Sequence, residues 1–395
     1  MEEYYTELDK KIIIGQKERH LDARQLNDIP IFFIVGRPRS GTTLLRTLFD
    51  AHPNVVVPPE CQFIINLYPK YGNIKQWTSA LLKNFYNELV SQWYFDLWPL
   101  SAQRLHEHLM QCEGEYTYGT ICKIVYHEYQ SVFQHGMILS IGDKNPGYTI
   151  YTEKLLKIFP EAKFIHIIRD YRDNFFSIKN VDFELPLISL TVSKWKIFIK
   201  RFRKAKERYP ESHLEIRYED LVAEPEKQFR GLCNFIGIPF SKVPFDFYLK
   251  AGEARKLYPE KILLKYQSSL FKKISTNRIG LWKENLSQSE IRLGDAAAGD
   301  YAALYGYKKH FNKSSFMTRI MIIPGVCFAG LLSLATSIVD RLPYKMRMAI
   351  LIKAPWIMGR IYLSLFDRKK LKEISLSVKK KSDLQQNWLK PTGLS

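Results

Sequence analysis

Two periods of apolar residues follow one another along this chain, and each change of period marks the end of an element. Ile31-Phe32-Phe33-Ile34-Val35 is an unbroken apolar run closed by Gly36. It is too short for a buried helix, so it predicts a strand covered on both faces. Behind it, Leu44, Leu45, Leu48 and Phe49 recur at helical spacing and predict a helix over 42–50. A turn at Ala51-His52-Pro53-Asn54 leads to a short strand at Val55-Val56-Val57, stopped by Pro58 and Pro59. Ile138 to Ile141 predicts a strand emptying into a polar turn at Gly142-Asp143-Lys144-Asn145-Pro146. Residues 151–159 read as a helix halted by Pro160, and Lys163 to Ile168 as a second buried strand. That strand ends in Arg169-Asp170-Tyr171-Arg172-Asp173, then a helix carrying Ser177. His213 to Tyr218 is a further strand, with a helix starting at Glu219-Asp220-Leu221.

Strands alternating with helices predict an α/β fold, a P-loop-type three-layer sandwich around a mostly parallel, doubly wound sheet. Ligands of such sheets lie beyond the carboxyl ends of the strands. Arg39, Glu60, Lys144, Arg169 and Tyr218 all fall at or just past those ends, so the topology predicts one shared site. Three regions sit apart: an arm or helix at 1–29, the main domain at 30–311, and a helical extension at 312–395. Within the domain, residues 61–135 show little strand alternation and many aromatics, among them Tyr68, Tyr71, Trp77, Phe85, Tyr86, Trp93, Tyr94, Phe95 and Trp98. They predict helices whose aromatics either line an acceptor pocket or simply fill core. The extension holds an uncharged stretch from Ile320 to Val339, a second apolar stretch from Met346 to Phe366, and a basic run at 368–381. Three readings stand for these apolar stretches: peripheral or membrane-dipping helices, a soluble hairpin, or a true span. No internal repeat is visible.

Composition narrows the partners. The net charge of +19 favours anions, whether a phosphorylated cofactor, an acidic lipid surface or nucleic acid. The five cysteines have neither CxxC nor Cys/His metal spacing, which predicts free thiols in a reducing compartment and no metal site. The acidic N-terminus with its short Ile12-Ile13-Ile14 run is no signal-peptide core, so the expected location is cytoplasmic, at most peripheral to a membrane.

The most informative chemistry lies at Gly36-Arg37-Pro38-Arg39-Ser40-Gly41-Thr42-Thr43. Strand, glycine loop and helix start form a cradle for an anion, because the helix's first-turn amides and its positive dipole end face the loop. A nucleoside triphosphatase loop would place lysine after the second glycine; here Thr42 stands there, and Arg39 supplies the cation instead. Arg169, directly after an apolar strand and eight positions before Ser177, predicts a second anion contact. Asp170 and Arg172 read as structural.

These motifs resemble those of sulfotransferases that use 3′-phosphoadenosine-5′-phosphosulfate (PAPS) and release PAP. The pattern is most similar to that of the tyrosylprotein sulfotransferases, through Pro38–Leu44, Ala51–Pro53 and Glu60. The resemblance spans roughly residues 30–310. It implies that Arg39, Ser40, Gly41, Thr42 and Thr43 hold the 5′-phosphosulfate, that Arg169 and Ser177 hold the 3′-phosphate, and that Tyr218 sits in the cofactor site. It also implies a late closing loop over Ser275–Lys283, with Arg278 and Lys283 as contacts. Glu60 is the implied general base, with His127 as a rival, and Lys144 and Arg39 stabilise charge on the bridging oxygen. The chain departs from the pattern at Pro59, where a second glutamate is expected, and at Val181, where a further arginine is expected. The aromatic middle segment and the apolar C-terminal stretches point to a small-molecule or lipid-like hydroxyl as acceptor, such as a sterol, or else a glycan. A P-loop kinase or nucleotide hydrolase, a protein-tyrosine sulfotransferase and a non-enzymatic membrane-surface or nucleic-acid binding module stand as alternatives. Nucleic acid is not an expected partner, and a homodimer is left open.

Overall fold

The computed structural model describes residues 23–133, 135–179, 181, 184–253 and 272–350. The arm at 1–22, residues 351–366 of the second apolar stretch and the basic run at 368–381 lie outside the described residues.

A five-stranded parallel sheet carries the molecule: β1 Ile31–Gly36, β2 Val55–Val56, β3 Ser140–Lys144, β4 Lys163–Ile168 and β5 His213–Arg217, in the order 2-3-1-4-5. Strand β1 lies at the centre and every residue of it is buried, as an apolar run without alternation requires. Its side chains divide by parity. Ile31, Phe33 and Val35 pack into the core made with the middle helices, whereas Phe32 and Ile34 join Leu45, Leu48, Phe49, Ile165 and Ile167 on the opposite face.

Helix α1 (Ala23–Asp28) lies against α6 (Tyr118–His127), and α2 (Thr42–Asp50) follows β1 directly. Between β2 and β3 come α3 (Phe63–Tyr71), α4 (Ser79–Val90), α5 (Ala102–Met110) and α6, with a two-stranded ribbon joining Gln76–Trp77 to Gly114–Glu115. Helix α7 (Thr152–Ile158) leads to β4, and α8 (Tyr171–Ile178) leaves it. The long α9 (Ile188–Arg208) crosses back to β5, which is followed by α10 (Tyr218–Ala223) and α11 (Pro225–Ile236). After the late loop come α12 (Trp282–Asn285), α13 (Gln288–Ala298) and α14 (Phe316–Val339).

Two details of the sequence reading change. Gly142, Asp143 and Lys144 are strand, not turn. Glycine occurs there because a Cβ on Gly142 would come within 2.6 Å of the Phe32 ring and 2.7 Å of Val57, so it permits close packing instead of reversing the chain. Tyr71, Trp77, Phe85, Phe95 and Trp98 are buried together in the first core; Trp93 and Tyr94 are the exposed members of the aromatic series. Their edge-to-face and stacked contacts make the middle segment a packed core.

The extension does not stand off from the domain. Gly325 of α14 lies so close to α9 that a Cβ would meet Ser189 Oγ at 2.1 Å. Beyond α14, Arg347 is buried, donates to the Ile65 carbonyl at 2.7 Å and pairs with Asp340 at 3.2 Å. The opposite side of α14 exposes Met317, Met321, Ile323, Leu331, Leu334 and Ile338.

Candidate active site

The loop between β1 and α2 is shaped by backbone constraints before any ligand is considered. Gly36 has φ 146° and its missing Cβ would fall 2.4 Å from the Ile167 carbonyl oxygen. Gly41 has φ 100°, caps α2 without any side-chain bond, and leaves room for the Tyr218 ring at 2.4 Å from its absent Cβ. Only glycine fits both places without strain. Between them Arg39 itself takes the left-handed conformation, φ 69°, a strained choice for a side-chain-bearing residue. Uncapped first-turn amides at Thr42 and Thr43 thus open onto a cleft.

Strands β1 and β4 are neighbours, with Gly36 opposite Ile167, so their tips deliver Arg39 and Arg169 to the same cleft. Arg39 Nε donates to Ser177 Oγ at 3.0 Å. Arg169 donates to the carbonyls of Arg39 at 3.2 Å and Arg278 at 2.5 Å, and its guanidinium stands 4.7 Å over the Tyr218 ring. The cleft is lined by Arg39, Gly41, Thr42, Thr43, Arg169, Ser177, Tyr218, Ser275 and Arg278, which the sequence anticipated, and by Leu44, Lys272, Lys273 and Ile274, which it did not. Among the described residues it has five cationic lining residues and no carboxylate. Desolvated guanidinium groups beside free amides suit a multiply charged anion.

Other predicted residues lie differently. Ser40 is fully buried and its hydroxyl accepts from Asn174 Nδ2 at 3.2 Å, so it braces the loop from α8. Lys283 is exposed near Gly280 and does not line the cleft. Asp170 and Arg172 pair with each other at 2.7 Å, and Arg172 covers the Trp282 ring at 3.8 Å. Val181 is buried.

Glu60 and Lys144 form a second group on the other side of β1. Lys144 is opposite Ile34 in register and donates to Glu60 Oε2 at 2.8 Å. Glu60 remains one-third exposed while Lys144 is nearly covered. Behind them the Asn145 amide bridges the Cys61 carbonyl at 3.2 Å and Asp143 at 2.5 Å, and Tyr126 donates to Asp143. Complete burial pushes the Asp143 carboxyl up to about 7 against these bonds, which lower it. His127 lies elsewhere, against Glu128 and a cavity with Leu26, Val56 and Ile141.

Sequence reasoning missed two brackets. Asn174 donates to the Pro38 carbonyl at 2.8 Å, and Asp173 accepts from the amides of Gly280 at 2.7 Å and Trp282 at 2.9 Å. Asp173 thereby fastens the late loop across the cleft. Burial raises its carboxyl and the two amides oppose that. Neither bracket has a spacing signature, because side-chain bonds to distant backbone leave no periodic trace.

The model of the sulfotransferase family matches residues 30–242. This chain belongs to that family. Its motif resemblance to PAPS-dependent sulfotransferases therefore holds, and it is an enzyme of that kind. Protein-tyrosine sulfotransferase 1 of Danio rerio is 25% identical over 300 residues, covering 73% of this chain and 75% of the relative. The omega-hydroxy-beta-dihydromenaquinone-9 sulfotransferase Stf3 of Mycobacterium bovis is 32% identical over 277 residues, covering 58% of this chain and 67% of the relative. Among solved structures, the sulfotransferase domain of the Synechococcus PCC 7002 olefin synthase is 19% identical with a TM-score of 0.46, covering 80% of this chain and 98% of that domain.

Proposed function

We propose that this sulfotransferase moves the sulfuryl group of PAPS to a hydroxyl of an apolar acceptor, a sterol or another lipid, with a glycan as the polar alternative. The observation that carries the reading is the placement of one carboxylate–lysine pair, Glu60–Lys144, one strand away from a carboxylate-free cationic cleft.

The residues fit a nucleotide with two anionic ends. Arg39, Gly41, Thr42 and Thr43 would hold the 5′-phosphosulfate and Arg169 with Ser177 the 3′-phosphate. Tyr218, Arg278 and the newly found Lys272 and Lys273 would flank the remainder. When bound, PAPS supplies an activated sulfuryl group whose departing phosphate oxygen takes up charge. Glu60 accepts the proton of the attacking hydroxyl, a step worth about 10²–10⁴ in rate. Lys144 holds Glu60 in place through their 2.8 Å contact and, with Arg39 and the α2 amides, would stabilise the developing oxyanion. Binding both reactants in line supplies the remaining effect through positioning.

A lipid acceptor is supported by the relative that acts on a hydroxylated dihydromenaquinone and by the exposed apolar side of α14. Along the chain that helix carries Arg319 in its first turn and is preceded by Lys308, Lys309 and Lys313 and followed by Arg341 and Lys345, charges that would complement an acidic bilayer. A protein tyrosine is the second reading, favoured by the Danio rerio relative. A screen with labelled PAPS against sterols, lipids, phenols, glycans and tyrosine peptides decides between them. Transfer only to the peptides overturns the lipid reading, and tight ATP–Mg²⁺ binding without PAP binding overturns the whole assignment.

A further inference from the structure

His127 ends α6 with its side chain 6% exposed, and neither ring nitrogen has a hydrogen-bond partner. An imidazole stripped of water on both sides is costly unless something binds it. Two further donors face it. His108, on α5, places Nδ1 2.9 Å from Glu128 Oε1, and His127 Nδ1 lies 3.7 Å from the same oxygen. One donor atom from each of the three residues falls within 4.8 Å of the others. The two rings are 5.9 Å apart and nearly perpendicular, so they approach the carboxylate from different directions. The Glu128 carboxylate is itself buried and its second oxygen has no hydrogen bond, although Arg104 Nε stands 3.6 Å away.

We propose that His108, His127 and Glu128 form a zinc site, separate from the sulfuryl-transfer cleft. Two imidazoles and one carboxylate are the borderline-soft set that zinc takes, whereas calcium and magnesium ask for more oxygen donors. A cavity bordered by Arg104, Tyr129, Gln130, Ser131 and His135 adjoins His127 and Glu128 and gives room for a water as fourth ligand. On binding, His108 presents the unprotonated Nδ1 to the ion with its proton carried on Nε2, and the Glu128 carboxylate turns from hydrogen-bond partner to ligand. Arg104, half exposed and 3.6 Å from Glu128, would swing toward solvent. The ion would clip the end of α5 to the end of α6, the helix whose Tyr126 supports Asp143 behind Lys144. Its role is structural; neither histidine lines the cleft or contacts Glu60 among the described residues.

The test uses the full chain without an affinity tag, stripped with a chelator and titrated with zinc chloride by calorimetry. About one ion per chain is expected, with the visible spectrum of a tetrahedral site when cobalt replaces zinc. His127→Gln and His108→Gln should each weaken zinc binding beyond the roughly 10–100-fold that outer-shell changes cost. His106→Gln, on α5 but edge-on to the Tyr86 ring, should leave it unchanged. PAP titration of each variant reports that the fold is intact. Absence of stoichiometric zinc binding by the folded chain overturns the proposal, as does unchanged zinc affinity in His127→Gln with PAP binding retained.

Discussion

The two halves of this molecule are built on opposite principles. On the proposed donor side, from β1 across to α8 and the late loop, polar side chains are fixed by bonds to backbone: Arg169 to Arg39 and Arg278, Asn174 to Pro38, Asp173 to Gly280 and Trp282. On the proposed acceptor side, helices α3 to α6 are held largely by aromatic packing, with the Glu60–Lys144 pair at its edge. A donor that is always the same nucleotide rewards rigid, preset charge. An acceptor that is apolar rewards shape and exclusion of water, which packed rings provide. The difference teaches where substitutions should act on binding and where on turnover.

The sharpest way to break that division is Glu60→Gln. It should lower kcat by about 10²–10⁴ while PAP affinity, read by calorimetry, stays as it was. A parallel loss of PAP affinity would merge the two halves. Next in size, Arg169→Ala should weaken PAP binding by about 1.5–3 kcal/mol, the cost of losing a charged hydrogen-bonding partner. Unchanged affinity would move the 3′-phosphate elsewhere. Gly41→Ala should cost about 1–3 kcal/mol through its left-handed backbone and its collision with Tyr218. It should lower Tm and PAP affinity together, and a drop in Tm alone would mean the loop is scaffold only.

Asp143 tests the boundary between the halves. Its folded value, about 7, lies above the ordinary 3.8, so over that interval the native state binds more protons than the unfolded chain. Stability therefore falls as pH rises from about 4 to about 7, by at most about 1.4 kcal/mol per pH unit. Asp143→Asn should flatten that slope in denaturant titrations, and an unaltered slope would assign it to another group. The smallest effect on the fold belongs to Leu331→Glu with Leu334→Glu, both exposed, expected within about 0.5 kcal/mol of wild type. The same pair should reduce sedimentation with phosphatidylserine vesicles, and undiminished sedimentation would remove α14 from the lipid surface.

The central sheet was legible because buried parallel strands write themselves as apolar runs, and β1 and β4 appear where those runs stand. Arg39, Thr42, Thr43, Arg169, Ser177 and Tyr218 were legible because anion loops and strand tips have fixed spacings. Lys272 and Lys273 were not, since nothing in their local sequence ties them to the cleft, nor were the bonds of Asp173 and Asn174, which join α8 to backbone far along the chain. Gly142 misled, because a glycine that yields space to Phe32 and a glycine that turns the chain are the same letter.

Sequence alone determined the α/β class, the anion-holding loop and the family, for these follow from local periodicity and contiguous motif. Only the tertiary structure decided that the aromatics at 71, 77, 85, 95 and 98 are core, that His127 turns from the cleft toward His108 and Glu128, and that Glu60 meets Lys144. Those outcomes depend on which side chains exclude water from one another once separate elements pack together, which local periodicity does not record.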